Sequence, residues 1–288
     1  MAKISMNSTV SFHGTTFRDV DVAKAAGYDA VELQTPKLFR FLDNGLSDDD
    51  LRERLGRFPV SGVGAIHEAP DDRFRGDATR LSELAASLGA PWVQMCTGPV
   101  DEDLVKAFRA GTLSAQDRRF RAALGLSDED TLSTTSRRVA LAADIAADYG
   151  VGIYLEPLGW SPVNRLSQAL RILERIDRPN VRLCVDFWHF WVAGDTPEDV
   201  ASIPGELIAG VHVCDGLAVA PGDVPDQRGS RNVWIGGGRI PLQEWVDACK
   251  ATGYDGYYCP EIFSRKVAEF DDTTVATTLA NSLRFLLA

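Results

Sequence analysis

The chain has 288 residues, 45% of them hydrophobic and 25% charged, with a net charge of −11. This composition excludes disordered, collagen-like and coiled-coil chains. The acidic balance, without a Lys/Arg cluster, argues against nucleic acid, and no apolar run approaches the roughly 20 residues of a membrane span.

In chain order, short apolar runs at Lys3–Thr9, Ala30–Gln34, Val60–His67, Trp92–Cys96, Gly152–Pro157, Val181–Asp186, Ile208–Cys214 and Gly256–Ile262 predict eight strands. Most are apolar on both faces, as strands covered on both sides should be. Helical patterns alternate with them at Phe17–Ala26, Asp48–Arg57, Asp77–Leu88, Thr131–Tyr149, Leu166–Arg175, Leu242–Ala251 and Val275–Leu287. Four of these helices run into a glycine (Gly27, Gly89, Gly150, Gly253), the expected stop before a new strand. Eight βα units without a linker predict a single (β/α)8 barrel domain over residues 1–288. The alternative is a doubly wound open sheet, but the first βα turn, Ser11-Phe12-His13-Gly14, lacks a G-x-G-x-x-G fingerprint.

Two loops are long, Thr97–Asp130 and Asp215–Gly238, and loops of that length are usually lids or interfaces. The first carries helical patterns at Glu102–Ala110 and Ala115–Leu124. The glycines of the second can supply hinges for closure over a substrate. The five cysteines contain no C-x-x-C and read as reduced core thiols. The first twelve residues lack a basic region, apolar stretch and cleavage site, which makes the cytoplasm the expected compartment. A homo-oligomer or a partner subunit is left open.

Polar residues at the C-terminal ends of barrel strands converge on one mouth. Strands five to eight end in Glu156, Asp186, His212 and Glu261. Three carboxylates there repel one another, so either a cation neutralises them or some stay protonated. A divalent ion is the simpler solution. Oxygen ligands with one imidazole suit Mn²⁺ or Mg²⁺ best, with Co²⁺, Fe²⁺ or Zn²⁺ also accommodated. The duller roles are helix capping for the acids and a hydrogen-bonded core position for His212. His189 is expected to bind substrate hydroxyls or steady the ligand sphere. His67, His13 and Glu32 stand at the ends of strands three, one and two, where pocket lining and structural roles compete. Among Phe12, Trp160, Phe187, Trp188, Trp191 and Trp234, one or two are expected to wall a sugar ring.

The motifs G-Y-D-A-V-E-L (27–33), E-P-L (156–158), V-D-F-W-H (185–189), V-H-V-C-D (211–215), G-G-G-R-I-P-L (236–242) and G-Y-D-G-Y-Y-C-P-E (253–261) occur in this order. Together they resemble the xylose-isomerase-like barrel superfamily, which includes ketose 3-epimerases, inosose isomerases and dehydratases, and repair enzymes of the endonuclease IV type. The resemblance implies that Glu156, Asp186, His212 and Glu261 are the metal ligands and that His189 and Arg231 bind substrate, with Arg228 close enough to stand in for Arg231. The repair branch needs more histidines than the four present, and strand four ends in Gln94-Met95-Cys96. The chemistry implied is proton abstraction next to a carbonyl, with Glu156 and Glu261 serving opposite faces of the carbon through an enediolate. Isomerisation or epimerisation of a keto-sugar or inosose is the first expectation. A lyase, dehydrating a keto-cyclitol or keto-acid or cleaving a 3-keto glycoside, is the second. The insert and the tryptophans suit a substrate larger than a free sugar. A sugar-binding module would leave the mouth carboxylates without a task.

Overall fold

A computed structural model describes residues 2–288. Eight parallel strands close into a barrel in sequence order: β1 (Lys3–Asn7), β2 (Ala30–Gln34), β3 (Val60–Ile66), β4 (Trp92–Cys96), β5 (Gly152–Glu156), β6 (Val181–Asp186), β7 (Ile208–Val213) and β8 (Tyr257–Pro260). The helices are α1 (Thr16–Ala25), α2 (Thr35–Asp43), α3 (Asp48–Leu55), α4 (Asp71–Leu88), α5 (Glu102–Arg109), α6 (Asp128–Asp148), α7 (Leu166–Ile176), α8 (Phe187–Ala193), α9 (Pro197–Ala201), α10 (Gln227–Ser230), α11 (Leu242–Ala251) and α12 (Asp272–Leu287). The predicted barrel is therefore the observed one, and the open sheet is excluded. No helix among the described residues is long and apolar enough to cross a membrane.

The core is a shell of Val, Ile, Leu and Ala between strands and helices, continuous with the barrel interior. Its burial removes apolar surface at about 25 cal/mol per Å², the main driving term for the fold. The four glycines after helices have φ between +67° and +82°, the left-handed conformation that ends a helix without a Cβ clash. All five cysteines are buried and unpaired with one another.

Several element limits differ from expectation. Helix α6 starts at Asp128 because Ser127 accepts from the Asp130 amide and three acids fill the first turn. Helix α4 starts at Asp71 and runs through Gly76, a residue that weakens the helical pattern without ending it. Helix α2 escapes the sequence reading because it is short and follows β2 without a loop, with a proline in its first turn. The same holds for α8, whose aromatic run reads as a strand continuation, although Asp186 caps it by accepting from His189 N at 2.7 Å. The predicted helix at Ala115–Leu124 does not form. The segment is a chain of turns held by Arg119, which pairs with Asp117 and with Asp101 at 3.0 Å.

Candidate metal centre and substrate cavity

Parallel register sets the heights of the mouth residues. Cys96 lies beside Glu156 on β4 and β5, Asp186 beside His212 on β6 and β7, and Glu261 just beyond β8, its amide continuing the ladder to Val213. One ligand atom from each of Glu156, Asp186, His212 and Glu261 falls within 4.8 Å of all the others, and the four residues are buried. His212 Nδ1 stands 3.1 Å from Glu156 Oε1, 3.6 Å from Glu261 Oε1 and 4.0 Å from Asp186 Oδ2. The Asp186 Oδ2 atom is buried and has no hydrogen-bond partner among the described residues, with the Arg231 guanidinium 3.6 Å away. An orphaned carboxylate oxygen aimed at two more carboxylates and an imidazole nitrogen is what a cation site requires, and the donor set fits a divalent ion.

The surroundings fix these groups. His212 Nε2 donates to Glu32, with the two carboxylate oxygens at 3.1 and 3.2 Å, which turns Nδ1 to the ligand side, where it meets Glu156 Oε1. Glu32 is held in turn by Tyr154 Oη and by Asn7 Nδ2. Burial works against its charge, but His212, Tyr154 and Asn7 hold its carboxyl down at about 2. Burial also opposes protonation of His212, yet Cys184, Glu32 and Glu261 around it raise its pKa well above the imidazole range. Glu156 Oε2 accepts from Gln94 Nε2 at 2.8 Å and from Cys96 Sγ at 3.3 Å, so Oε1 alone faces the cluster. Asp186 stays low, at about 2, because His189 and Arg231 outweigh its burial. Glu261 goes the other way: burial, helped by Glu156 and Asp186, pushes it up to about 8 although His212 and Arg231 pull it down.

A cavity of about 210 Å³ opens over this cluster. Glu156, Glu261 and His189 form its floor and side, His67, Gln34, Gln94 and Gln227 supply further polar groups, and Leu158, Trp160, Val100 and Phe263 supply apolar wall. His189 accepts from Gly159 N at its Nδ1, 2.9 Å away, which orients the ring. The His67 ring is open to the cavity, and the protein around it lowers its pKa by desolvation against the pull of Glu156.

Other candidates stand elsewhere. Glu32 lies inside the barrel behind His212 and does not line the cavity, so it is in no position to bind substrate; its contacts are those of a ring-positioning group. Trp188 is fully buried behind Trp160 and His189, under the Arg231 guanidinium at 5.0 Å. Its bulk backs the wall, and Trp160 is the indole that reaches the cavity. Arg231 is 1% exposed, bonded to Glu261 at 2.8 Å and 3.6 Å from Asp186 Oδ2, so it braces the acids rather than reaching into the cavity. Arg228 points outward to Glu102 at 3.0 Å and Asp103 at 2.6 Å, too far out to stand in for Arg231. His13 and Phe12 are exposed and outside the cavity lining.

The same contacts describe the two long loops. Glu102 accepts from the Gln227 amide and Arg228, and Lys106 reaches Asp226 at 2.7 Å, so α5 and α10 are latched across the mouth. The expected hinge glycines are tied down: Asp215 accepts from the amides of Gly216, Gly236, Gly238 and Ile240. Sequence reasoning missed Asp215 as a loop organiser and the glutamines Gln34, Gln94 and Gln227 as cavity groups. The glycine run, with its bare amides, is the signal that points to an acceptor such as Asp215. Gly64 on β3 is a further silent contributor, since a Cβ there would lie 2.3 Å from Gln94 Cβ.

An eight-stranded parallel barrel with a buried three-carboxylate, one-histidine cluster at its C-terminal mouth defines a class of barrels with a candidate metal centre at that mouth. The chain belongs to the xylose isomerase-like TIM barrel family, whose model matches residues 20–287. It is 31% identical over 276 residues to inosose isomerase of Bacillus licheniformis, covering 91% of this chain and 89% of that one. It is 26% identical over 288 residues to 3-dehydroshikimate dehydratase of Pseudomonas aeruginosa, covering 96% of this chain but 39% of that longer one. Among solved structures it resembles the IolI protein with a bound zinc atom, with a TM-score of 0.82, 22% identity, and coverage of 99% and 98% of the two chains.

Proposed function

We propose that this protein is a divalent-metal-dependent isomerase or epimerase acting on an inosose or keto-sugar. The observation that carries the reading is the orphaned Asp186 oxygen within the Glu156–Asp186–His212–Glu261 cluster, directly beneath a cavity for one small molecule. The similarity to an inosose isomerase supports the substrate. Mn²⁺ is the ion we favour, because three of four ligands are carboxylates. A divalent ion bound there would polarise a carbonyl and its neighbouring hydroxyl and stabilise the enediolate charge.

The chain's own groups account for the rest. Glu156 and Glu261 come from β5 and β8, both line the cavity, and each is a candidate to move a proton on one face of the substrate carbon. Gln94 keeps Glu156 in one orientation, and Arg231 does the same for Glu261. His189 is oriented by Gly159 to meet a substrate hydroxyl. The cavity volume lies below the roughly 300–1,000 Å³ of pockets for drug-sized ligands, which favours one sugar or cyclitol ring over a glycoside. The similarity to a dehydratase supports a second reading, loss of water from the same type of intermediate. The test is incubation of the Mn²⁺-reconstituted protein with an inosose in D₂O. Deuterium exchange and a new ketone isomer are expected; dehydration would favour the second reading, and no exchange with any ring ketone would refute both.

A further inference from the structure

The cavity lining contains two carboxylates, two imidazoles and three glutamine amides, but no lysine or arginine among the described residues. The nearest guanidinium, Arg231, is consumed by Glu261 and Asp186 and is 1% exposed. Arg228 is turned outward to Glu102 and Asp103. Lys37, on the neighbouring helix α2, is occupied by Asp19 and the carbonyls of Ser8 and Ser11.

We infer that this site selects uncharged polyhydroxy ring ketones and rejects those carrying a carboxylate or phosphate. The inference rests on the ring-ketone reading above and narrows it. The three ligand carboxylates and Glu32 behind His212 carry four negative charges against three from the Arg231 guanidinium and one divalent cation, so the floor of the cavity holds no spare positive charge before substrate enters. A substrate anion then adds an uncompensated charge in an enclosed space, where an unpaired charge is costly. Amides suit the neutral ligand. The Gln34 side chain has no protein partner among the described residues, and Gln94, having given its NH₂ group to Glu156, presents its oxygen as an acceptor. Such groups pair with hydroxyls and cannot neutralise an acid.

Calorimetric binding to the Mn²⁺-loaded protein at pH 8, above the ordinary imidazole range, tests this with two six-membered ring ketones, an inosose and 3-dehydroshikimate. The inosose is expected to bind at least about tenfold more tightly. Gln227→Arg or Gln34→Arg, whichever keeps the wild-type circular dichroism spectrum, should narrow that gap by placing a cation on the wall. Equal or tighter binding of the acid overturns the inference, as does failure of the inosose to bind. Discrimination that neither arginine variant narrows also overturns it, because the missing cation would then not be the cause. Inosose that binds selectively without turnover would leave the inference standing and defeat the isomerase reading instead.

Discussion

Glu32 takes the Nε2 proton of His212 from inside the barrel, 3.1 Å away, while the other nitrogen of the same ring faces three carboxylates. A residue three strands away round the barrel thus decides which imidazole nitrogen is turned to the ligand side. Glu32→Gln keeps the shape but gives up the charge that fixes this tautomer. Metal affinity should fall about 10–100-fold, measured by competition with a chelating dye. Unchanged affinity would mean that Tyr154 and Asn7 orient the ring without help from the Glu32 charge.

Glu261 is expected to move a proton as well as hold metal. Glu261→Gln, assayed at saturating Mn²⁺ with occupancy verified, should lose about 10²–10⁴ in kcat. Near-normal turnover at full occupancy would leave it a ligand only and move the proton-transfer role to Glu156 with His189.

Removing the metal should expose the repulsion among the acids. In the metal-free protein, burial holds the Glu261 carboxyl at about 8, above its unfolded value of about 4.3. The folded state therefore keeps a proton that the unfolded chain gives up. That contribution to stability is complete below the unfolded pKa and is lost as pH rises through about 8. Chelator should lower Tm more at pH 8.5 than at pH 5.5. A Tm drop independent of pH would contradict a protonated Glu261 in the apo cluster.

The latch between α5 and α10 positions Gln227 over the cavity. Arg228→Ala, far from the reacting atoms, should raise KM several-fold with little change in kcat, and high salt should mimic it in the wild type because these pairs are partly exposed. If kcat falls and KM does not move, the latch acts on the chemical step rather than on substrate retention.

Lys37 is the buried counterpart of these surface pairs. It meets Asp19 at 2.8 Å, and Asp19 is fully buried. Lys37→Met would strand that acid and should cost about 3–5 kcal/mol of stability, read from urea unfolding. A loss below about 1 kcal/mol would show that Asp19 is readily kept protonated.

The barrel was legible because each strand is a short apolar run followed by a helix and, in four cases, a glycine stop. Glu156, Asp186, His212 and Glu261 were legible because each closes a strand, and parallel strands bring their ends to one mouth. What escaped was decided by direction rather than position. Glu32 and Trp188 sit near strand ends but point away from the cavity. Arg228 and Arg231 lie three residues apart on α10 and its cap, yet one faces solvent and the other the acids. Gln34, Gln94 and Gln227 carry no charge and no motif, so only the folded chain reveals them as cavity groups.

Gly64 illustrates a different economy. It lines the cavity without a side chain of its own; the bare space above its Cα is where Gln94 lies, and Gln94 steers Glu156. Any side chain at this point in β3 would be transmitted through two neighbours to the ligand cluster. The barrel wall beneath the mouth is therefore closed to gradual change, and new substrate preferences on this scaffold must be explored in the loops around the rim.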